Sequence, residues 1–135
     1  MRSHKSIEHE DFLIKAFVSK ERQERYLSLI STEKGRQKFR TYLPHFKDLN
    51  TQYCSPLPLS YSHLQLYNFL NELSASDICY VICESKKYDM TSLPLIDALK
   101  QLFNSGLAFF LSCTPGKLAY YEGEDSSQRF ILNCN

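Results

Sequence analysis

No apolar run in this 135-residue chain approaches the roughly 20 residues that a membrane-crossing helix requires. The run at residues 107–111 is only strand-sized. The first ten residues are polar and carry acids, without the apolar centre of a secretory signal. These two absences lead to the expectation of a soluble, cytoplasmic protein that makes no membrane contact. Tryptophan is absent, so the large core side chains are drawn from nine Tyr and nine Phe. Five cysteines are an odd count, and too sparse for a secreted disulfide scaffold. No internal repeat and no low-complexity tract interrupts the chain. A P-loop is excluded too, because the G-x-x-x-x-G-K-[ST] spacing occurs nowhere. No cofactor is implied by any motif.

What is present is ordinary globular composition, 43% hydrophobic and 23% charged, enough to exclude a disordered chain. At this length a chain buries roughly two-thirds of its unfolded surface, which suits a single domain spanning 1–135. Charge is distributed unevenly. Residues 1–47 hold eleven Lys or Arg against six acids, a balance of +5. Residues 48–135 hold five against nine, a balance of −4, and together they make the net +1. The division suggests a basic helical part at 1–47, a connector at 48–60 and a helix-covered sheet at 61–135. It also suggests self-association as a homodimer, or an acidic protein partner, through the second and third helices.

Apolar spacing predicts three helices in the first part, at about 8–18, 20–30 and 33–46. Ser31 or Thr32 caps the third, and Phe39, Tyr42, Leu43 and Phe46 form its apolar stripe. Ser60 or Ser62 caps a fourth helix that runs to about residue 73. Residues 78–83 are apolar on both faces, as in a covered central strand. A fifth helix follows, capped by Thr91 or Ser92, with Pro94 in its first turn. Strands are expected at 107–113, 118–122 and 129–134, the first two joined by the turn Thr114-Pro115-Gly116-Lys117. The fold expected is therefore α+β: three N-terminal helices, then α-β-α-β-β-β with a four-stranded mixed sheet covered by helices. Its first two strands lie parallel through a helical crossover.

Chemistry is harder to find. Cys79 and Cys83 lie about 13 Å apart along a strand, too far to share one metal ion, and no metal site is expected. Cys113 ends the next strand, but all four histidines, His4, His9, His45 and His63, fall in the helical half. A Cys–His pair across the two halves has no sequence support, and buried thiols acting as small apolar groups are the better reading. Glu84-Ser85-Lys86 after an apolar strand resembles, in outline, the pattern of metal-dependent nucleases. However, Asp77 and Glu84 bracket one strand about 23 Å long and do not converge. The turn ending at Lys117 has small residues that suit an anion, and Tyr120, Tyr121 and Glu122 beyond it have the character of a pocket lining, although a plain β-turn and sheet packing explain both. Lys34, Arg36, Lys38 and Arg40 form two rows on the third helix, and with Lys20, Arg22 and Arg25 they suit a phosphate-facing surface. Glu21, Glu24 and Glu33 dilute its field, so nucleic-acid binding is not favoured.

The leading expectation is a non-enzymatic binding or regulatory module. The alternative is a small hydrolase or nuclease-like enzyme with a polar site at the sheet edge, built from Glu84, Lys86, Asp89, Cys113 and Lys117. Nucleic-acid binding through the basic helices is the third reading.

Overall fold

Three helices in this protein begin where short polar side chains hold their first amides, and the computed structural model describes residues 2–134. Ser3 accepts from Ser6 N to start α1 (His4–Phe17). Thr32 accepts from Gly35 N to start α3 (Glu33–Tyr42). Ser62 and Gln65 form a reciprocal capping box at the start of α4 (His63–Glu72). α2 (Gln23–Ile30) follows a 3₁₀ turn at Lys20–Arg22, and a second 3₁₀ turn, Leu43–His45, continues from α3. α5 (Leu95–Leu102) buries Leu95, Ala98, Leu99 and Leu102 along one stripe.

Six strands form one sheet: β1 (Cys54–Pro56), β2 (Ile78–Cys83), β3 (Thr91–Pro94), β4 (Phe109–Thr114), β5 (Leu118–Glu122) and β6 (Arg129–Asn133). Their spatial order is β1-β6-β5-β4-β2-β3, and every pairing is antiparallel. The four-stranded mixed sheet expected from the sequence is thus corrected to a six-stranded antiparallel one. The plain count of three N-terminal helices is also inaccurate, because the segment is broken by 3₁₀ turns and runs on into a strand.

Two short edge strands account for the error. Thr91 to Pro94 carries the residues of a helix cap, yet it pairs with β2 from Ile78↔Pro94 to Val81↔Thr91. Pro94 is tolerated there because it ends an edge strand. Leu95 N donates to Asp77 O at 2.7 Å, which ties the start of α5 to the base of β2. The return through β3 delivers the chain to the opposite end of β2, so β4 must come back antiparallel to β2 (Tyr80↔Ser112, Cys83↔Phe109). The helical crossover therefore joins β3 to β4, with β2 between them. β1 was hidden by its three-residue length and by Pro56, and it pairs with β6 across Cys54↔Leu132. Residues 48–60 are held on both sides, since Asn50 N donates to Phe17 O and Leu57 N to Arg129 O.

Strand alternation divides the core into two layers. Tyr80, Ile82, Phe110, Ala119, Tyr121 and Leu132 face α1–α3. Cys79, Val81, Cys83, Phe109, Leu111 and Tyr120 face α4 and α5. Both faces are covered, which is why the strands read as continuous apolar runs. Among the described residues, no helix is long and apolar enough to cross a membrane.

Candidate functional site

The hairpin of β5 and β6 places Glu122 directly across from Arg129. Both side chains lie on the α5 face, at the end of the sheet where the Asp125-containing turn reverses the chain. Both are buried, at 2% and 6% exposure. The Arg129 guanidinium sits 4.7 Å above the ring of Phe103, just past α5. Asn104 follows in the left-handed region, with φ 59°. That conformation lets its side chain accept from Arg129 Nη2 at 2.7 Å while its amide donates to Glu122 Oε2 at 2.8 Å. Tyr120 donates to Glu122 Oε1 at 2.8 Å. Burial raises the Glu122 carboxyl above its ordinary range, and the donors Tyr120, Asn104 and Arg129 offset only part of the effect. Burial and the neighbouring carboxylate push the Tyr120 phenol far up.

The turn itself is docked on the helical layer. Glu124 N donates to Pro44 O at 2.9 Å. Tyr121 donates to Leu43 O at 2.6 Å and accepts from Phe46 N at 3.1 Å. Gly123 is required here, since a Cβ would come within 2.8 Å of Tyr121 Oη and 2.9 Å of Pro44 O. His45 Nε2 lies 2.7 Å from Glu124 Oε2 at the surface. The Ser127 amide holds the exposed Asp125 carboxyl below its ordinary range. Together these elements enclose a cleft of about 530 Å³, lined by His45, Asn104, Glu122, Glu124, Asp125 and Arg129 among others. Its buried part carries Arg129, and its exposed rim carries Glu124 and Asp125. Arg129 has five donors. Nη2 is spent on Asn104, Nε has no hydrogen-bond partner, and the nearest carboxylate oxygen is 3.5 Å from Nε.

Of the residues singled out in the sequence, Glu122 lines this cleft with Tyr120 bonded to it, while Glu84, Lys86, Asp89, Cys113 and Lys117 lie elsewhere. Asp89 lies in a second polar cluster, between α1, α3 and the end of β2. Arg36 donates to both Asp89 oxygens, at 2.7 and 3.0 Å, and to Glu10 at 2.7 Å. Asp89 also accepts from Cys83 N at 3.0 Å, and Arg40 approaches it at 3.6 Å. Arg36 is therefore buried and Arg40 is turned towards the same carboxylate, while Lys34 and Lys38 stay exposed on the other side of α3. Glu84 accepts from Ala108 N at 2.6 Å and anchors the start of β4. Lys86 is exposed on the β2–β3 loop. Lys117 is exposed beyond the far end of β4 from Glu84, roughly 20 Å away at the rise of a strand. Cys113 is fully buried, and burial lifts its thiol well above the ordinary value. Cys79 is pushed up to about 12 and Cys83 to about 11 for the same reason, so none of the three is a thiolate near neutral pH. Among the described residues, no group of three or more His, Cys, Asp or Glu could hold a metal ion.

Two further features escape sequence reasoning. His9 on α1 stacks on Tyr80 at 5.1 Å and lies 2.7 Å from Ser112 Oγ, 103 residues away. Burial lowers the His9 pKa, which favours a neutral ring, but Ser112 is only 1% exposed and cannot meet a substrate. The other is the cleft set His45, Asn104 and Arg129. Its neighbour Glu122 carried a signal, as a pocket lining beyond the β4–β5 turn, and Arg129 carried none beyond its place in a strand. No protein-family model matches the chain, and no curated protein or solved structure matches it either.

Proposed function

We propose that this protein is a non-enzymatic binding module whose ligand site is the cleft at the β5–β6 end of the sheet. The observation that carries the reading is Arg129, a guanidinium nine-tenths buried that lines a concave site with donors unspent. Its position is fixed in advance by Phe103, Asn104 and Glu122, so a ligand acceptor meets an ordered donor at little entropic cost. The interior sets the Arg129 cation beside the Glu122 carboxyl, which burial biases towards its neutral form, and the rim carries Glu124 and Asp125, an order of charge that suits a small zwitterion. Such a ligand would set its carboxylate on Arg129 and its ammonium towards Glu124 and Asp125. The enzymatic reading has less support. Both Glu122 oxygens already accept hydrogen bonds, and His45 is engaged with Glu124. The residues Glu84, Lys86, Asp89, Cys113 and Lys117 are dispersed over the molecule.

The test is a ¹H–¹⁵N NMR titration with free amino acids as probes. The expected result is saturable shifts confined to the amides of 104–106 and 123–126, weakened in Asp125→Asn. If no amino acid at millimolar concentration moves those amides, the cleft is not such a site. If the purified protein turns over an ester, phosphodiester or peptide substrate and Glu122→Gln abolishes it, the non-enzymatic reading is wrong.

A further inference from the structure

A second concavity adjoins the cleft across His45. It is a groove of about 230 Å³ between α2 and the end of α3, and its lining includes Arg22, Arg25, Tyr42, Lys47 and Asp48. Three fixed cations here face one carboxylate. That carboxylate is already engaged, because Tyr26 donates to Asp48 Oδ2. Arg22 and Lys47 make no hydrogen bond or ion pair through their side chains among the described residues. Arg25 lies 5.8 Å over the Tyr42 ring, and its Nη2 donates to Tyr42 Oη at 2.9 Å. Because the Tyr42 oxygen accepts from Arg25, the phenolic proton is left to donate outward. Two guanidiniums, an ammonium and a hydroxyl donor around one small concavity form an arrangement suited to a tetrahedral dianion.

We propose that this groove binds the phosphoryl group of a small phosphate ester, held by Arg22, Arg25 and Lys47 with the Tyr42 hydroxyl as an additional donor. This site is separate from the zwitterion cleft and does not depend on it. A polynucleotide backbone presents the same chemistry but needs a longer track. The structure shortens that track to Lys38 and Lys34, which stay exposed beyond Tyr42. Arg36 and Arg40, which would have extended the basic row along α3, turn to Asp89 instead. On the other side of His45 the surface becomes acidic, with Glu124 and Asp125.

Tyr42 is also a reporter. Desolvation acts to raise its pKa, but the Arg25 hydrogen bond and the charges of Lys38 and Arg25 outweigh it, so the phenol ionises below its ordinary value. A bound dianion offsets those charges and moves its ionisation back up.

The experiment is calorimetric titration at low salt with inorganic phosphate, ribose 5-phosphate and a ten-residue oligothymidylate, followed by tyrosinate absorbance against pH with and without ribose 5-phosphate. Expected are saturable binding of ribose 5-phosphate, about tenfold weaker in Arg22→Gln and in Lys47→Gln, and no change in Lys100→Gln on α5. An upward shift of one tyrosine that is missing in Tyr42→Phe is also expected. The charged positions are exposed and Tyr42 is half-buried, where Phe keeps its ring packing, so the variants should fold. The proposal is overturned if neither phosphate binds at about 10 mM, if the Arg22→Gln/Lys47→Gln double variant binds as well as the parent, or if the tyrosine titration is unmoved at saturation. Tighter, steeply salt-dependent binding of the oligothymidylate would assign the groove to a polynucleotide and overturn the small-molecule claim.

Discussion

Replacing Asp89 with Ala removes the acceptor that joins α3 to the end of β2. Its carboxylate is 3% exposed, and Arg36 beside it is 4% exposed. The substitution leaves Arg36 with Glu10 alone and strips Cys83 N of its acceptor. Breaking a buried pair from one side costs about 3–5 kcal/mol, because the surviving charge stays desolvated. Folded domains are stable by only about 5–15 kcal/mol, so the loss is a large fraction of the whole. Unfolding entropy near 2.1 cal/mol/K per residue gives about 0.28 kcal/mol/K for 135 residues. The expected fall in Tm is therefore roughly 10–18 °C. Equilibrium guanidinium unfolding followed by circular dichroism gives the free energy directly. A second arm separates ionic coupling from lost packing. If the pair acts as a unit, Arg36→Met combined with Asp89→Leu costs about 1–2 kcal/mol less than the sum of the two single changes. A loss under about 1 kcal/mol for Asp89→Ala, or strict additivity in the cycle, would refute the account of this cluster as the joint between the helical layer and the sheet.

Three other outcomes follow from individual environments. Gly35→Ala in an ordinary helix stabilises by up to about 1 kcal/mol, but here the new Cβ would lie 2.2 Å from Leu29 O. We expect a loss of about 1–3 kcal/mol in urea unfolding, and a neutral or stabilising result would show that α2 and α3 can separate at no cost. Burial raises the folded-state pKa of Glu122, so the folded state holds this proton more tightly than the unfolded state. Its contribution to stability is then fully present at low pH and is lost as pH rises through the range above the ordinary glutamate value. The stability of Glu122→Gln relative to the parent should therefore increase across that range, and a flat or opposite slope contradicts the burial. Ellman's reagent should label at most the half-buried Cys54 and Cys134 in the folded protein, and all five thiols in guanidinium. Rapid labelling of more than two in the native state would place Cys79, Cys83 or Cys113 outside the core.

Local chemistry was enough to mark the starts of α3 and α4, the covered strands and the tight β4–β5 turn. Thr32 and Ser62 bear cap oxygens whatever surrounds them, and an apolar run as short as 78–83 has few other uses. Sequence spacing also placed Phe39, Tyr42, Leu43 and Phe46 on one apolar stripe, and three of the four are buried while Tyr42 is half-buried. What escaped are the features that exist only between segments. Thr91–Pro94 has the composition of a helix cap and becomes a strand because β2 offers a free edge, and that one pairing turns the sheet from mixed to antiparallel. Arg36 has the helical spacing of a surface cation and is drawn inward because Glu10 and Asp89 arrive from residues 26 and 53 positions away. The cleft likewise draws on residues 45, 104 and 122–129, which no spacing along the chain could bring together, whereas the groove is assembled from residues 22–48 alone. The sequence by itself determined which residues are greasy and where α3 and α4 start, since these depend on neighbours a few positions away. Only the tertiary structure decided strand direction, the fate of each charge and the shape of the clefts, because each of these is set by a partner that the chain brings back from a distance.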